Sequence, residues 1–87
     1  MARVFVPAAM RSLTGGQDVI EAAGHNVRTV IDDLDRQFPG VKNRLCDGDE
    51  LRPGLSVAIG GSIGALGLRQ PVAAGDEIHF LPAVGGG

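Results

Sequence analysis

Apolar positions along the chain fall into four short runs of strand character and one helical stripe. Ala2-Arg3-Val4-Phe5-Val6 is rich in β-branched and aromatic residues and stops at Pro7. It predicts a first strand with Val4 and Val6 on one face and Arg3 and Phe5 on the other. The polar, glycine-bearing stretch Thr14-Gly15-Gly16-Gln17 separates it from a second strand over Asp18 to Ala23, closed by Gly24, so the chain opens as a hairpin with a long loop. Val27, Val30, Ile31, Leu34 and Phe38 then recur at helical spacing, one stripe of an amphipathic helix with Asp32, Asp33, Asp35 and Arg36 turned to water. Asn26 is its predicted N-cap and Pro39-Gly40 its stop.

Val41 to Cys46 accommodates one short helical turn with Val41 and Leu45 inward, ahead of the turn-rich Asp47-Gly48-Asp49 and the break at Pro53-Gly54. Leu55 to Ile59 alternates into a third strand that turns at Gly60-Gly61, and Leu66 to Val72 reads as a loop containing a very short edge strand. Asp76 to Leu81 alternates again, opened by Gly75 and closed by Pro82, with Ile78 and Phe80 inside. The order strand, strand, helix, turn, strand, loop, strand predicts an α+β domain in which a mixed sheet packs on one main helix. This is the order of the β-grasp (ubiquitin-like) fold, with the first and last strands parallel at the centre. It covers residues 1–84, and residues 85–87 form a flexible glycine tail.

Composition narrows the chemistry. Among 87 residues there are three Phe and no Trp or Tyr, so the core must be built from Val, Ile and Leu. A net charge of −2 with interspersed signs offers no footprint for nucleic acid or an anionic membrane. The run Val4-Phe5-Val6 is far short of a signal-peptide core or a membrane span, and a cytoplasmic location is the resulting expectation. The single Cys46 has no disulfide partner and no ligand set around it, and neither Leu45 nor Asp47 gives a reason for an activated thiol; it reads as a packing residue. His25 and His79 have no metal spacing and no nucleophile to activate, so no metal site and no catalytic residue are expected, and His79 is read as solvated.

The candidate chemistry lies at the end of the sequence. Pro82-Ala83-Val84 leads from the last strand into Gly85-Gly86-Gly87. Without a Cβ, a terminal glycine run can lie extended in a narrow channel while another protein's active site closes on the carboxylate of Gly87. Gly85 and Gly86 are thus threading residues, and no residue within this domain needs to be catalytic. A chain whose end is handled by another protein must also present a recognition surface. Phe5 and Leu81, predicted on the sheet face turned away from the helix, are the candidates together with Val84.

Ala74-Gly75-Asp76-Glu77-Ile78 followed by Phe80-Leu81-Pro82-Ala83-Val84-Gly85-Gly86-Gly87 resembles the ending of the MoaD/ThiS family of ubiquitin-like sulfur carriers, and Leu13 to Gln17 resembles its CysO-like branch. Gly85 stands where Ala or Ser is common in that ending. The resemblance implies a ubiquitin-activating-enzyme-like adenylyltransferase that uses ATP and Mg to adenylate Gly87. Sulfur then replaces AMP to give a thiocarboxylate, the carrier being a co-substrate rather than an enzyme and binding no cofactor itself. In the CysO-like branch it further implies a pyridoxal-phosphate-dependent (PLP-dependent) cysteine synthase as sulfur acceptor and a metalloprotease that releases cysteine. A molybdopterin synthase small subunit, a carrier for another cofactor or metabolite, and a ubiquitin-like protein modifier share the same glycine ending. A β-grasp interaction domain with an incidental tail is the non-covalent alternative.

Overall fold

In the computed structural model, which describes residues 1–82, the first strand and the last lie side by side. β1 (Ala2–Phe5) runs parallel to β7 (Glu77–Pro82), with Val4 opposite Ile78 and Phe5 opposite His79. β2 (Val19–Ala22) flanks β1 antiparallel, and β5 (Leu55–Ile59) flanks β7 antiparallel. With β6 (Ser62–Ile63) beyond β5, the order across the sheet is β2-β1-β7-β5-β6. This is the expected β-grasp arrangement.

One helix, α1 (Val27–Gln37), covers the sheet. Its stripe Val27, Val30, Ile31 and Leu34 is buried with Val4, Val6, Ile20, Val57, Ile78 and Phe80 in one aliphatic core. The helix starts where expected, because Asn26 Oδ1 accepts from Thr29 N at 2.8 Å and Thr29 Oγ1 accepts in return from Asn26 N at 3.2 Å. A short α2 (Val41–Leu45) follows, burying Val41 and Leu45 as predicted. Asp35 Oδ1 accepts from the backbone N–H groups of Gly40 and Lys42, both at 3.1 Å, and so satisfies donors at the start of α2. The turn-rich segment after α2 is a small separate ribbon of β3 (Cys46–Asp47) and β4 (Glu50–Leu51).

Several expectations are corrected. Asp33 does not face water: it is 9% exposed, because its carboxylate accepts from Ala23 N at 3.0 Å and so ties the helix to the end of β2. The long loop after β1 holds a 3-10 helix over Ala8–Thr14 that buries Met10 and Thr14. The edge strand is Ser62–Ile63 rather than part of 66–72. Gly60 and Gly61, at φ 57° and 90°, form a two-residue turn that sends the chain straight back along β5. Gly67–Arg69 is a second 3-10 turn. Finally, β7 continues through Pro82, which pairs with Leu55. Proline is tolerated at this terminal position of a strand because it removes only one donor at the ladder's end.

Candidate functional site

The last strand is held on both sides, by β1 and by β5, so the chain reaches Pro82 from the middle of the sheet. On its other side the antiparallel register sets this exit opposite Leu55. Val84, Gly85, Gly86 and Gly87 lie outside the described residues, as does the expected boundary between domain and tail.

The outward face of the sheet is continuous from edge to edge. Cross-strand pairing sets Val19 opposite Phe5, Phe5 opposite His79, His79 opposite Ala58 and Ala58 opposite Ile63. These five residues form one row, and Leu81, opposite Ser56, adds a second apolar position toward the exit. Leu81 is 40% exposed and Ile63 63%, whereas Ala58 is buried beneath its larger neighbours. Phe5 and His79 stack face to face with ring centroids 4.2 Å apart and planes within 9°. The predicted placement of Phe5 and Leu81 therefore holds, but His79 is not a freely solvated side chain. Its ring is a half-buried member of the apolar row, with Nε2 4.0 Å from Glu77 Oε1. Arg3 and Glu77 form an exposed pair at 3.9 Å at the opposite end of β7 from the exit.

Val19, Ala58 and Ile63 complete a row of which the sequence reading had only the centre. Val19 was visible in the alternation of β2, whose even position Ile20 is buried. Ile63 was hidden because a two-residue strand carries no periodic signal.

Elsewhere the described residues offer little reactive chemistry. No group of three or more His, Cys, Asp or Glu is placed to hold a metal among them, and none of their helices is long and apolar enough to cross a membrane. Cys46 is buried, and that burial pushes its thiol pKa up, so it is held as the unreactive thiol. It packs in the core cluster, as a structural cysteine does.

Comparison with known proteins agrees with this geometry. The ThiS family model matches residues 4–87. The chain is 33% identical to the sulfur carrier protein CysO of Mycobacterium tuberculosis (strain ATCC 25618 / H37Rv) over 89 residues, covering 97% of this chain and 96% of the relative. It superimposes on a chain in the crystal structure of the Amycolatopsis orientalis BexX/CysO complex with a TM-score of 0.91 and 34% identity over 100% of both chains. It is also similar to small archaeal modifier protein 1 of Methanosarcina acetivorans, with a TM-score of 0.75, 26% identity and coverage of 99% and 95%. Five-stranded order, single covering helix, mid-sheet exit and near-complete alignment coincide, and the chain belongs to the ThiS family.

Proposed function

We propose that this chain is a sulfur carrier whose reactive group is the C-terminal carboxylate of Gly87, serving a cysteine-type biosynthetic pathway. The observation that carries the reading is the continuity between a rigid mid-sheet strand ending at Pro82 and a family match that runs on through Gly87. Similarity to the sulfur carrier protein CysO supports the choice of chemistry.

In this reading a carboxylate oxygen of Gly87 attacks the α-phosphorus of ATP, bound with Mg by a ubiquitin-activating-enzyme-like adenylyltransferase, and pyrophosphate leaves. Hydrosulfide then adds to the acyl carbon and AMP departs, which leaves a thiocarboxylate. ATP and Mg belong to that partner, and no residue of this chain is catalytic. The thiocarboxylate is the stronger nucleophile and attacks the substrate of a sulfur-accepting enzyme, a PLP-dependent cysteine synthase in the favoured pathway; a metalloprotease then frees the carrier. Gly85 and Gly86 thread the partner's channel because they present no side chain to its walls.

Phe5 and Leu81, together with Val84, are the contact residues for these partners. This face is apolar, includes Leu81 next to Pro82 and is partly exposed, which suits a site desolvated on docking. ATP–pyrophosphate exchange catalysed by the activating enzyme tests the reading. Exchange is expected to depend on this chain and to vanish when Gly87 is removed, and undiminished exchange with the truncated chain would refute it.

A second reading is favoured by the similarity to small archaeal modifier protein 1. The same acyl-adenylate would be captured by a lysine amine, giving an isopeptide rather than a thiocarboxylate. Adducts of higher mass on other proteins distinguish it.

A further inference from the structure

On the helix side of the sheet, an open groove of about 490 Å³ runs between the 3-10 helix over Ala8–Thr14, α2 and the turn that leads into β5. Its floor is apolar: Met10, Leu45 and Phe80 are buried, and Leu55 is half-buried. Its charged lining is wholly cationic, for Arg44 and Arg52 border it and no carboxylate does. Both arginines are exposed, and among the described residues neither is in an ion pair. Arg52 is held in place by its Nε, which donates to the carbonyl of Asn43 at 2.7 Å and leaves the rest of its fork available. Other grooves carry mixed charge: Asp49 and Glu50 accompany Arg69 below β5, and Asp32 and Asp33 accompany Arg36 between β2 and α1. In a chain of net charge −2, the apolar groove is thus a local concentration of uncompensated positive charge.

We infer that this groove is a docking site for an extended acidic segment of a partner protein, which seats an apolar side chain over Leu55 and Met10 and places carboxylates on Arg44 and Arg52. Charge complementarity selects the occupant. Planar guanidinium forks match carboxylates, and the apolar floor adds a demand that a bare anion does not meet. A small molecule is poorly served, because its pockets enclose the ligand and orient it by polar groups, whereas this groove is open and its floor has no polar side chain. Single-stranded nucleic acid is poorly served as well, since its bases stack on exposed aromatic faces and Phe80 is only 4% exposed. The groove is also continuous with the end of the last strand, where Leu55 pairs with Pro82. A partner that fills it and covers the outer row holds that strand end from both faces of the sheet. Exposed arginine–carboxylate contacts are individually weak and screened by salt, so the docking is reversible and strongest at low ionic strength.

Docking here needs neither the chemistry of Gly87 nor any enzyme, so it is tested separately from the carrier reading. The probe is a capped peptide of alternating Glu and Leu, titrated into the full chain at low ionic strength and followed by methyl and arginine side-chain NMR. Its Gln–Leu counterpart, inorganic phosphate and a short single-stranded oligonucleotide are the comparisons. The Met10 and Leu55 methyl groups and Arg52 Nε–H are expected to shift saturably with the Glu–Leu peptide. Its affinity should fall about threefold in Arg44→Gln and about tenfold in Arg44→Gln/Arg52→Gln. The single variant leaves the hydrogen bond between Arg52 and Asn43 in place, so it decides the matter if the double variant loosens the fold. Four results would each overturn the proposal: no saturable shift at millimolar peptide, equal shifts with the Gln–Leu peptide, an affinity indifferent to Arg44→Gln, or the same shifts with phosphate or the oligonucleotide. The last would make the groove a plain anion or nucleic-acid site.

Discussion

Asp33 holds two elements together with one carboxylate. Its oxygens accept from Ala23 N and from Gln37 Nε2 at 3.1 Å, and Arg36 pairs with it from the next turn. The backbone hydrogen bond from Ala23 is the main reason its pKa lies below the ordinary 3.8, with Arg36 and Gln37 adding to the effect against the opposing cost of burial. A lowered folded pKa means that the stabilisation is complete above the unfolded value and is lost as pH falls through the folded one. Asp33→Ala is expected to lose about 1–3 kcal/mol at pH 7, since it orphans the Ala23 N–H. Its deficit relative to the wild type should shrink in acid, below the unfolded value of 3.8. Urea denaturation at neutral and acidic pH measures both. The sequence pattern assigned Asp33 to water because a charge beside Asp32 and Asp35 reads as a solvated helix face. Its partner, ten positions away on another element, leaves no local trace.

The junction of β2 with α1 shows how a single glycine sets the packing of two elements. A Cβ at Gly24, where φ is 158°, would lie 2.6 Å from Val30 N and 2.8 Å from Val30 Cγ2, inside the first turns of the helix. Because the obstacle includes helix backbone, it cannot swing aside. Gly24→Ala is expected to destabilise the fold by roughly 1–3 kcal/mol, read as a lowered denaturation midpoint. A variant as stable as the wild type would show that β2 and α1 separate at little cost. Elements of this kind were legible when local chemistry alone determines them. The α1 stripe, its Asn26 cap and the Gly60-Gly61 turn all follow from residues within a few positions of each other. The 3-10 helix over Ala8–Thr14 does not. Its turns begin after Pro7, and it is held by the burial of Met10 and by Thr14 Oγ1 donating to Gln17 C=O at 2.7 Å, a combination without periodic signature.

Across the whole molecule, the central parallel pair of strands does two things. It buries Val4 and Ile78 with the helix, and it presents Phe5, His79 and Leu81 on the opposite face beside the exit. The alternation of β1 and β7 made this division readable from sequence, but the breadth of the outer row depended on pairings with Val19, Ala58 and Ile63 that only the folded sheet creates. If the row is the docking face, Phe5→Glu and Leu81→Glu should each weaken binding to the activating enzyme by about tenfold or more, because a charge must then be desolvated at the contact. Their circular dichroism spectra should match the wild type, since both residues face outward. Unaltered affinity in a titration calorimeter would move the docking face elsewhere.

The central claim is that Gly87 carries sulfur. Intact-protein mass spectrometry after incubation with ATP, Mg, a sulfide source and the activating enzyme tests it most directly. The account predicts a mass gain equal to replacing one oxygen by sulfur, located on the C-terminal glycine and absent when Gly87 is deleted. An unchanged mass, with the enzyme active on another carrier in the same mixture, would contradict it.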